Sequence, residues 1–138
     1  MKLVGHIVAA ITQWDPDEVV IDEIGIGAGV VDRLKEQGYS VQGVNVGTAA
    51  LDHEHFANLR AESYWDLRQL LLDGCVALPR DNELVGQLAA LKYSFNSMGK
   101  VLIESKGDMR RRGVPSPDKA DALMLAFLAK RRKVQLWG

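Results

Sequence analysis

The sequence predicts an α/β fold, a mostly parallel central sheet with flanking helices. Three observations lead there. Helical stripes of apolar residues alternate with short hydrophobic runs suited to strands along the first part of the chain. The links between them are short, which implies parallel strands joined by a right-handed crossover. Further on, a hairpin signal separates two more short strands. With 138 residues and 47% hydrophobic content, residues 1–138 are read as one domain with enough apolar material for an ordinary core.

Lys2 to Trp14 carries apolar residues at 3, 4, 7, 8, 11 and 14, the stripe of an amphipathic helix. Asp15-Pro16-Asp17 ends it and turns the chain. Glu18–Ile24 is short and hydrophobic enough for a central strand. Gly27–Gln37 returns to helical spacing through Val30, Val31 and Leu34, with Gly38 as its C-cap. Ser40–Val46 is the second strand. Gly47–Ala61 has no clean period and reads as a loop. Glu62–Leu72 is a helix with Trp65, Leu67, Leu70 and Leu71 toward the core, and Asp81-Asn82-Glu83 opens another that runs to about Leu91. Lys92–Asn96 and Lys100–Glu104 flank Ser97-Met98-Gly99, the hairpin turn. Lys106–Pro115, rich in glycine and arginine, reads as an exposed loop. Ser116 then offers an N-cap and Pro117 the first position of the last helix.

Composition excludes several classes. Proline is scarce and no long polar tract occurs, which argues against extensive disorder. The single cysteine, Cys75, cannot form an internal disulfide and reads as a small buried hydrophobe. Met1-Lys2-Leu3-Val4-Gly5-His6 lacks the pattern of a signal peptide, and no segment approaches a membrane span. The expected home is a reducing cytoplasm. Charge is uneven: residues 1–91 hold 6 Lys/Arg and 14 Asp/Glu, whereas residues 92–138 hold 11 and 4. That polarity suits a polyanion meeting one side of the domain, or two solvated faces that partly neutralise each other.

Two aspartates stand at the edges of apolar elements. Asp22 closes the run Val19-Val20-Ile21, and Asp121 begins Ala122-Leu123-Met124-Leu125-Ala126-Phe127-Leu128. The helical neighbours of Asp121 at i+3, i+4 and i+7 are Met124, Leu125 and Leu128, so its carboxylate leans on a buried face. An ionised carboxylate there needs a cation or a donor. A divalent ion shared by Asp22 and Asp121 would meet that need, and all-oxygen ligands suit Mg²⁺ or Mn²⁺ better than zinc. Asp118 lies one turn before Asp121 and can assist it, although the helix dipole alone favours an acid at that position.

Other motifs weigh less. The glycines of Gly25-Ile26-Gly27-Ala28-Gly29 could cradle phosphate, yet Asp22 and Glu23 beside them would repel a pyrophosphate, and there is no Walker-type Gly-Lys-Ser/Thr. Lys106, Arg110, Arg111 and Arg112 form a basic stretch just before the acidic helix, suited to phosphate contacts. Lys130-Arg131-Arg132-Lys133 could serve likewise or simply complement a helix C-terminus. His53-Glu54-His55 reads as a solvated turn rather than a metal site. Trp14, Trp65 and Trp137 suit packing better than base stacking.

Val19–Gly27, Asn58-Leu59-Arg60-Ala61-Glu62-Ser63-Tyr64-Trp65 and Ser116-Pro117-Asp118-Lys119-Ala120-Asp121-Ala122-Leu123 together resemble the nuclease domain of tailed-phage terminase large subunits. The resemblance implies an RNase H-like fold and metal-dependent cleavage of double-stranded DNA during phage or prophage DNA packaging in the bacterial host cytoplasm. It implies that Asp22 matches the family's second acidic residue and Asp121 the one on the final helix, with Asp118 accessory. Lys106, Arg110, Arg111, Arg112 and Lys119 would contact backbone phosphates, and the small terminase and portal would be partners. In the family an antiparallel β-meander carrying the first catalytic aspartate comes before the matching region, and an ATPase domain before that. Met1 enters after both, so the expectation is a partial domain, truncated at the meander and lacking the first catalytic aspartate, with metal binding and cleavage weakened or lost altogether. A sheet edge left bare beside the Asp22 strand would invite self-pairing. Two alternatives remain: a non-catalytic DNA-binding or assembly remnant, and another RNase H-superfamily nuclease such as a junction resolvase.

Overall fold

The computed structural model describes residues 2–24 and 27–137, with side chains as far as Leu128. The chain gathers into two units, one running up to Asn45 and the other spanning Val46–Val134. The first contains α1 (Lys2–Trp14), β1 (Val20–Asp22), α2 (Gly27–Glu36) and β2 (Gln42–Val44). β1 and β2 pair in parallel, with Val20 opposite Gln42 and Asp22 opposite Val44. Bonds from Gln42 N–H to the Val19 carbonyl and from Glu23 N–H to the Val44 carbonyl, each 2.9 Å, extend this ladder at both ends. The expected runs Glu18–Ile24 and Ser40–Val46 are thus strands only at their centres.

Apolar spacing explains the packing of this unit. Val4 of α1, Val30, Val31 and Leu34 of α2, and Val41 beside β2 are buried together, with Ile7, Val8 and Ile11 packed against them. The stripe of α1 runs out before Trp14, which is 74% exposed on the last turn and is not the packing residue expected. Gly38 follows α2 with a φ of 89°, a left-handed conformation that glycine adopts without cost. Its N–H bonds to the Lys35 carbonyl at 2.9 Å, so the helix ends as the sequence predicts.

The second unit holds α3 (Leu59–Leu72), α4 (Asn82–Ala90), β3 (Tyr93–Phe95), β4 (Val101–Ile103), α5 (Lys106–Arg111) and most of α6 (Asp118–Trp137). β3 and β4 form the expected hairpin, pairing Tyr93 with Ile103 and Phe95 with Val101. Asn96 holds its turn by accepting N–H bonds from Met98 at 3.0 Å and Lys100 at 2.9 Å, and Gly99 takes a φ of 75°. The loop before α3 leans on β4: Ala57 N–H meets the Val101 carbonyl at 2.9 Å, and Val101 N–H meets the His55 carbonyl at 2.8 Å. The described strands therefore make two small sheets, β1–β2 parallel and β3–β4 antiparallel, where one mostly parallel sheet was expected.

Side-chain caps set the helix starts and correct several expectations. Asn58 accepts the Ala61 N–H at 2.9 Å, so α3 begins at Leu59, earlier than Glu62. Its buried residues include Glu62, Ser63 and Tyr64 beside Leu67, while Trp65, Leu70 and Leu71 are only half-buried. Lys106–Pro115 is not all loop. Ser105 accepts the Asp108 N–H at 3.1 Å and donates to its carboxylate at 2.8 Å, and these reciprocal bonds nucleate α5. Ser116 does not cap α6 directly: its hydroxyl donates to Asp118 at 2.6 Å, and the Pro117 carbonyl accepts the Asp121 N–H at 2.8 Å. Cys75 lies beyond the end of α3 and is exposed, because the turn through Gly74 at a φ of 69° carries it off the core. The basic run Lys130–Lys133 and Trp137 have side chains outside those described.

Two glycines on α2 should respond to alanine with opposite signs. A Cβ at Gly27 would collide with the Asp22 carbonyl, whereas one at Gly29 meets nothing. Gly29→Ala should raise the unfolding free energy in urea by roughly 0.5–1 kcal/mol. Gly27→Ala should lower it, and equal effects from both would contradict this packing.

A carboxylate held on the last helix

Asp121 sits in the first turn of α6, 9% exposed, above Met124, Leu125 and Leu128, all buried. Its apolar surroundings are those the sequence predicts, and two donors answer the cost of burying it. The Tyr64 hydroxyl of α3 donates to Oδ1. The Lys106 ammonium, at the start of α5, lies 2.9 Å from Oδ2. Burial, and then the bond to Asp121, hold the Tyr64 phenol far above its ordinary value. The Arg60 guanidinium lies 5.3 Å from the centre of the Tyr64 ring and donates to the Glu104 carbonyl at 2.7 Å, which fixes the ring from its other side.

Helix α4 fixes the start of α6. Gln87 Oε1 accepts the N–H groups of Lys119 at 2.8 Å and Ala120 at 3.1 Å, so a side chain from another helix satisfies two donors of the first turn. The Lys119 ammonium reaches back to Asp81 at 2.7 Å and Glu83 at 2.9 Å. Those two carboxylates, Asp81 first, raise the Lys119 pKa, and Lys119 holds Asp81 below the usual carboxylate range. Lys119, expected among the phosphate contacts, is here a clamp between helices.

The other basic residues divide in the same way. Arg112 forms a forked pair with Glu104 at 2.6 and 2.8 Å and also reaches the Ala90 carbonyl at 2.5 Å. That pairing depresses the Glu104 pKa and raises that of Arg112. Arg111 pairs with Asp108 at 2.8 Å on a largely exposed surface, a contact easily exchanged. Arg110 is exposed and has no ion pair among the described residues. Asp118 is exposed beside Ser116.

Asp22 ends β1 in the first unit, half-buried, and its Oδ1 accepts the Ile24 N–H at 2.9 Å. This is the strand-end position expected. Asp121 belongs to the second unit. Among the described residues, no three His, Cys, Asp or Glu side chains gather as metal ligands. In His53-Glu54-His55, His55 turns its Nδ1 to Asp52 at 2.8 Å. No described helix is long and apolar enough to cross a membrane.

Sequence reasoning missed Tyr64, Gln87 and Glu62 as positioning residues. Glu62, 1% exposed, accepts the N–H groups of Leu51 at 3.0 Å and Asp52 at 2.8 Å and so ties the preceding loop to α3. Asn58 as an N-cap was the available signal. It fixes the start of α3 at Leu59 and so puts Glu62 and Tyr64 in the first two turns of the helix, ahead of Leu67, Leu70 and Leu71.

A small mixed α/β fold with a buried, donor-held carboxylate at the start of its last helix is the class that the geometry defines. That fold is shared with the nuclease domains of large terminase subunits. The nuclease domain from bacterial virus Sf6 superposes with a TM-score of 0.68 at 23% identity, over 84% of this chain and 66% of that one. A variant of it with manganese matches equally well over 67% of its length. The large terminase nuclease from thermophilic phage G20c, with bound magnesium, gives 0.66 at 22% identity over 91% of this chain and 59% of that one. The chain thus spans about two thirds or less of the domains it matches. No family model and no curated protein matches the sequence.

The Tyr64–Asp121 bond makes a pH prediction. Above about pH 10 an unfolded tyrosine releases its proton, while folded Tyr64 retains it. Its contribution is therefore complete below that pH and is lost as the pH rises further. Tyr64→Phe should show a shallower fall in unfolding free energy between roughly pH 9.5 and 11 than the parent. Equal slopes would contradict the buried bond.

Proposed function

We propose that this chain is the nuclease part of a phage or prophage DNA-packaging terminase large subunit, RNase H-like in fold, and that it cleaves double-stranded DNA with Mg²⁺ or Mn²⁺. The observation that carries the reading is Asp121, a nearly buried carboxylate with one oxygen already facing a cation, Lys106. The shared fold supports it, as do the manganese and magnesium in structures of the two similar domains. Localisation in the bacterial host, and partners such as the small terminase and portal, follow from the same reading.

The donor chemistry fits such an ion. Asp121, Asp22 and an assisting Asp118 offer oxygens, which hard divalent cations prefer. The Lys106 side chain is 45% exposed and can swing away from Oδ2, so it competes with a bound ion without barring it. When bound, the ion supplies Lewis-acid stabilisation at the phosphate and lowers the pKa of water. The protein's own part is positional. Tyr64 fixes Oδ1 of Asp121, Gln87 and Lys119 fix the turn that bears it, and Arg110, with Arg111 once released from Asp108, meets the DNA backbone without reading sequence.

The same ion pair favours a second reading. A carboxylate neutralised by lysine is a stable arrangement in a chain that binds DNA or assembles without cutting it. One experiment separates the two: supercoiled plasmid with Mn²⁺ and purified chain, beside Asp22→Asn and Asp121→Asn variants. The nuclease reading predicts nicking that each substitution reduces by roughly a hundredfold or more. Plasmid retardation without nicking would establish the second reading and overturn the first.

A further inference from the structure

Away from Asp121, the second unit carries an open apolar groove between α3, α4 and the hairpin, with a cavity of about 380 Å³. Its floor is aliphatic, with Leu67 and Leu71 from α3 and Leu88 and Leu91 at α4. Aromatic rings extend it outward: Trp65 meets Tyr93 edge-on at 5.0 Å, and Tyr93 meets Phe95 at 6.1 Å. Leu72, Tyr93 and Phe95 are 65%, 48% and 63% exposed, so the apolar surface continues past the cavity. Patches of this kind mark places where partners bind.

The charge on the lining is of one sign. Among the described residues, Arg68 and Lys92 are the charged groups on the lining, and no described carboxylate joins them. Neither has an ion pair among the described residues. The nearby Glu104 carboxylate pairs with Arg112 and lies close enough to feel Lys92 as well, so Arg68 is the rim cation with no acid beside it among the described residues. Arg68 lies 4.8 Å from the Trp65 ring centre and 5.9 Å from that of Tyr93, which holds its guanidinium at the rim.

We infer that this groove docks an acidic amphipathic helix of a partner protein, with leucine-like side chains in the cavity and carboxylates on Arg68 and Lys92. The geometry selects this occupant over others. Trp65 is already covered by Arg68 and packed nearly perpendicular to Tyr93, which leaves poor stacking for a nucleobase. A second copy on the same face would bring Arg68 and Lys92 toward their own counterparts with no acid on the lining to answer them. A helix bearing leucines on one face and acids beside them satisfies both the aliphatic floor and the rim. This inference does not depend on DNA cleavage.

The test uses the full chain and a fluorescein-labelled helical peptide of about four turns, with leucines along one face and glutamates flanking them. Fluorescence anisotropy is read beside a version with lysine for glutamate and beside labelled oligothymidine. The expected result is saturable binding of the acidic peptide alone, weakened about tenfold or more by Arg68→Glu with Lys92→Glu. Arg68→Gln with Lys92→Gln should give an intermediate loss, and circular dichroism checks that both variants fold. No binding of the acidic peptide, equal binding by the charge-reversed variant, or preference for the lysine peptide or oligothymidine would overturn the proposal. Dimerisation abolished by Leu88→Glu would overturn it too, because the occupant would then be a second copy.

Discussion

A carboxylate placed against a packed helix face is tolerated only if donors replace the water it has lost, and much of the second unit is arranged around that requirement. Tyr64 and Lys106 come from two other helices to meet Asp121. Each must itself be held. Arg60 braces Tyr64, the Ser105–Asp108 exchange builds the short helix that carries Lys106, and Gln87 with Lys119 secures the turn beneath Asp121. A loss at any of these positions should be felt at the carboxylate before it is felt in the core.

The charge asymmetry of the sequence acquires a structural meaning in these contacts. Lys119 answers acids from the acidic part of the chain, Asp81 and Glu83, across more than thirty residues of sequence, while Arg112 and Arg111 find acids close by. Part of the apparent basic face is therefore internal wiring. In the stretch Lys106–Arg112, Arg110 and the exchangeable Arg111 remain for a polyanion among the described side chains.

Apolar spacing made the first unit legible. The stripe of α1, the Val30-Val31-Leu34 face and the glycine after α2 all follow from residues a few positions apart, which a sequence displays directly. Asp121 was legible for the same reason, since Met124, Leu125 and Leu128 stand at helical spacing from it. Its partners were not. Tyr64 lies 57 residues away and Lys106 arrives on a six-residue helix whose composition mimics a loop. Long-range pairing leaves no local period, so α5, the Gln87 cap and the clamp role of Lys119 emerged only from the fold. Exposure misled in two places, Trp14 and Cys75, where a hydrophobic residue stands just where an element ends.

The central proposal is that Asp121, paired with Lys106 in the fold, can take a divalent ion in that lysine's place. Titration calorimetry of Mn²⁺ into the chain, Lys106→Met and Asp121→Asn tests it most directly. The account predicts that Lys106→Met binds Mn²⁺ more tightly than the parent, because a competing cation has been removed, and that Asp121→Asn loses binding. Unchanged or weaker binding by Lys106→Met, or full binding by Asp121→Asn, would contradict it.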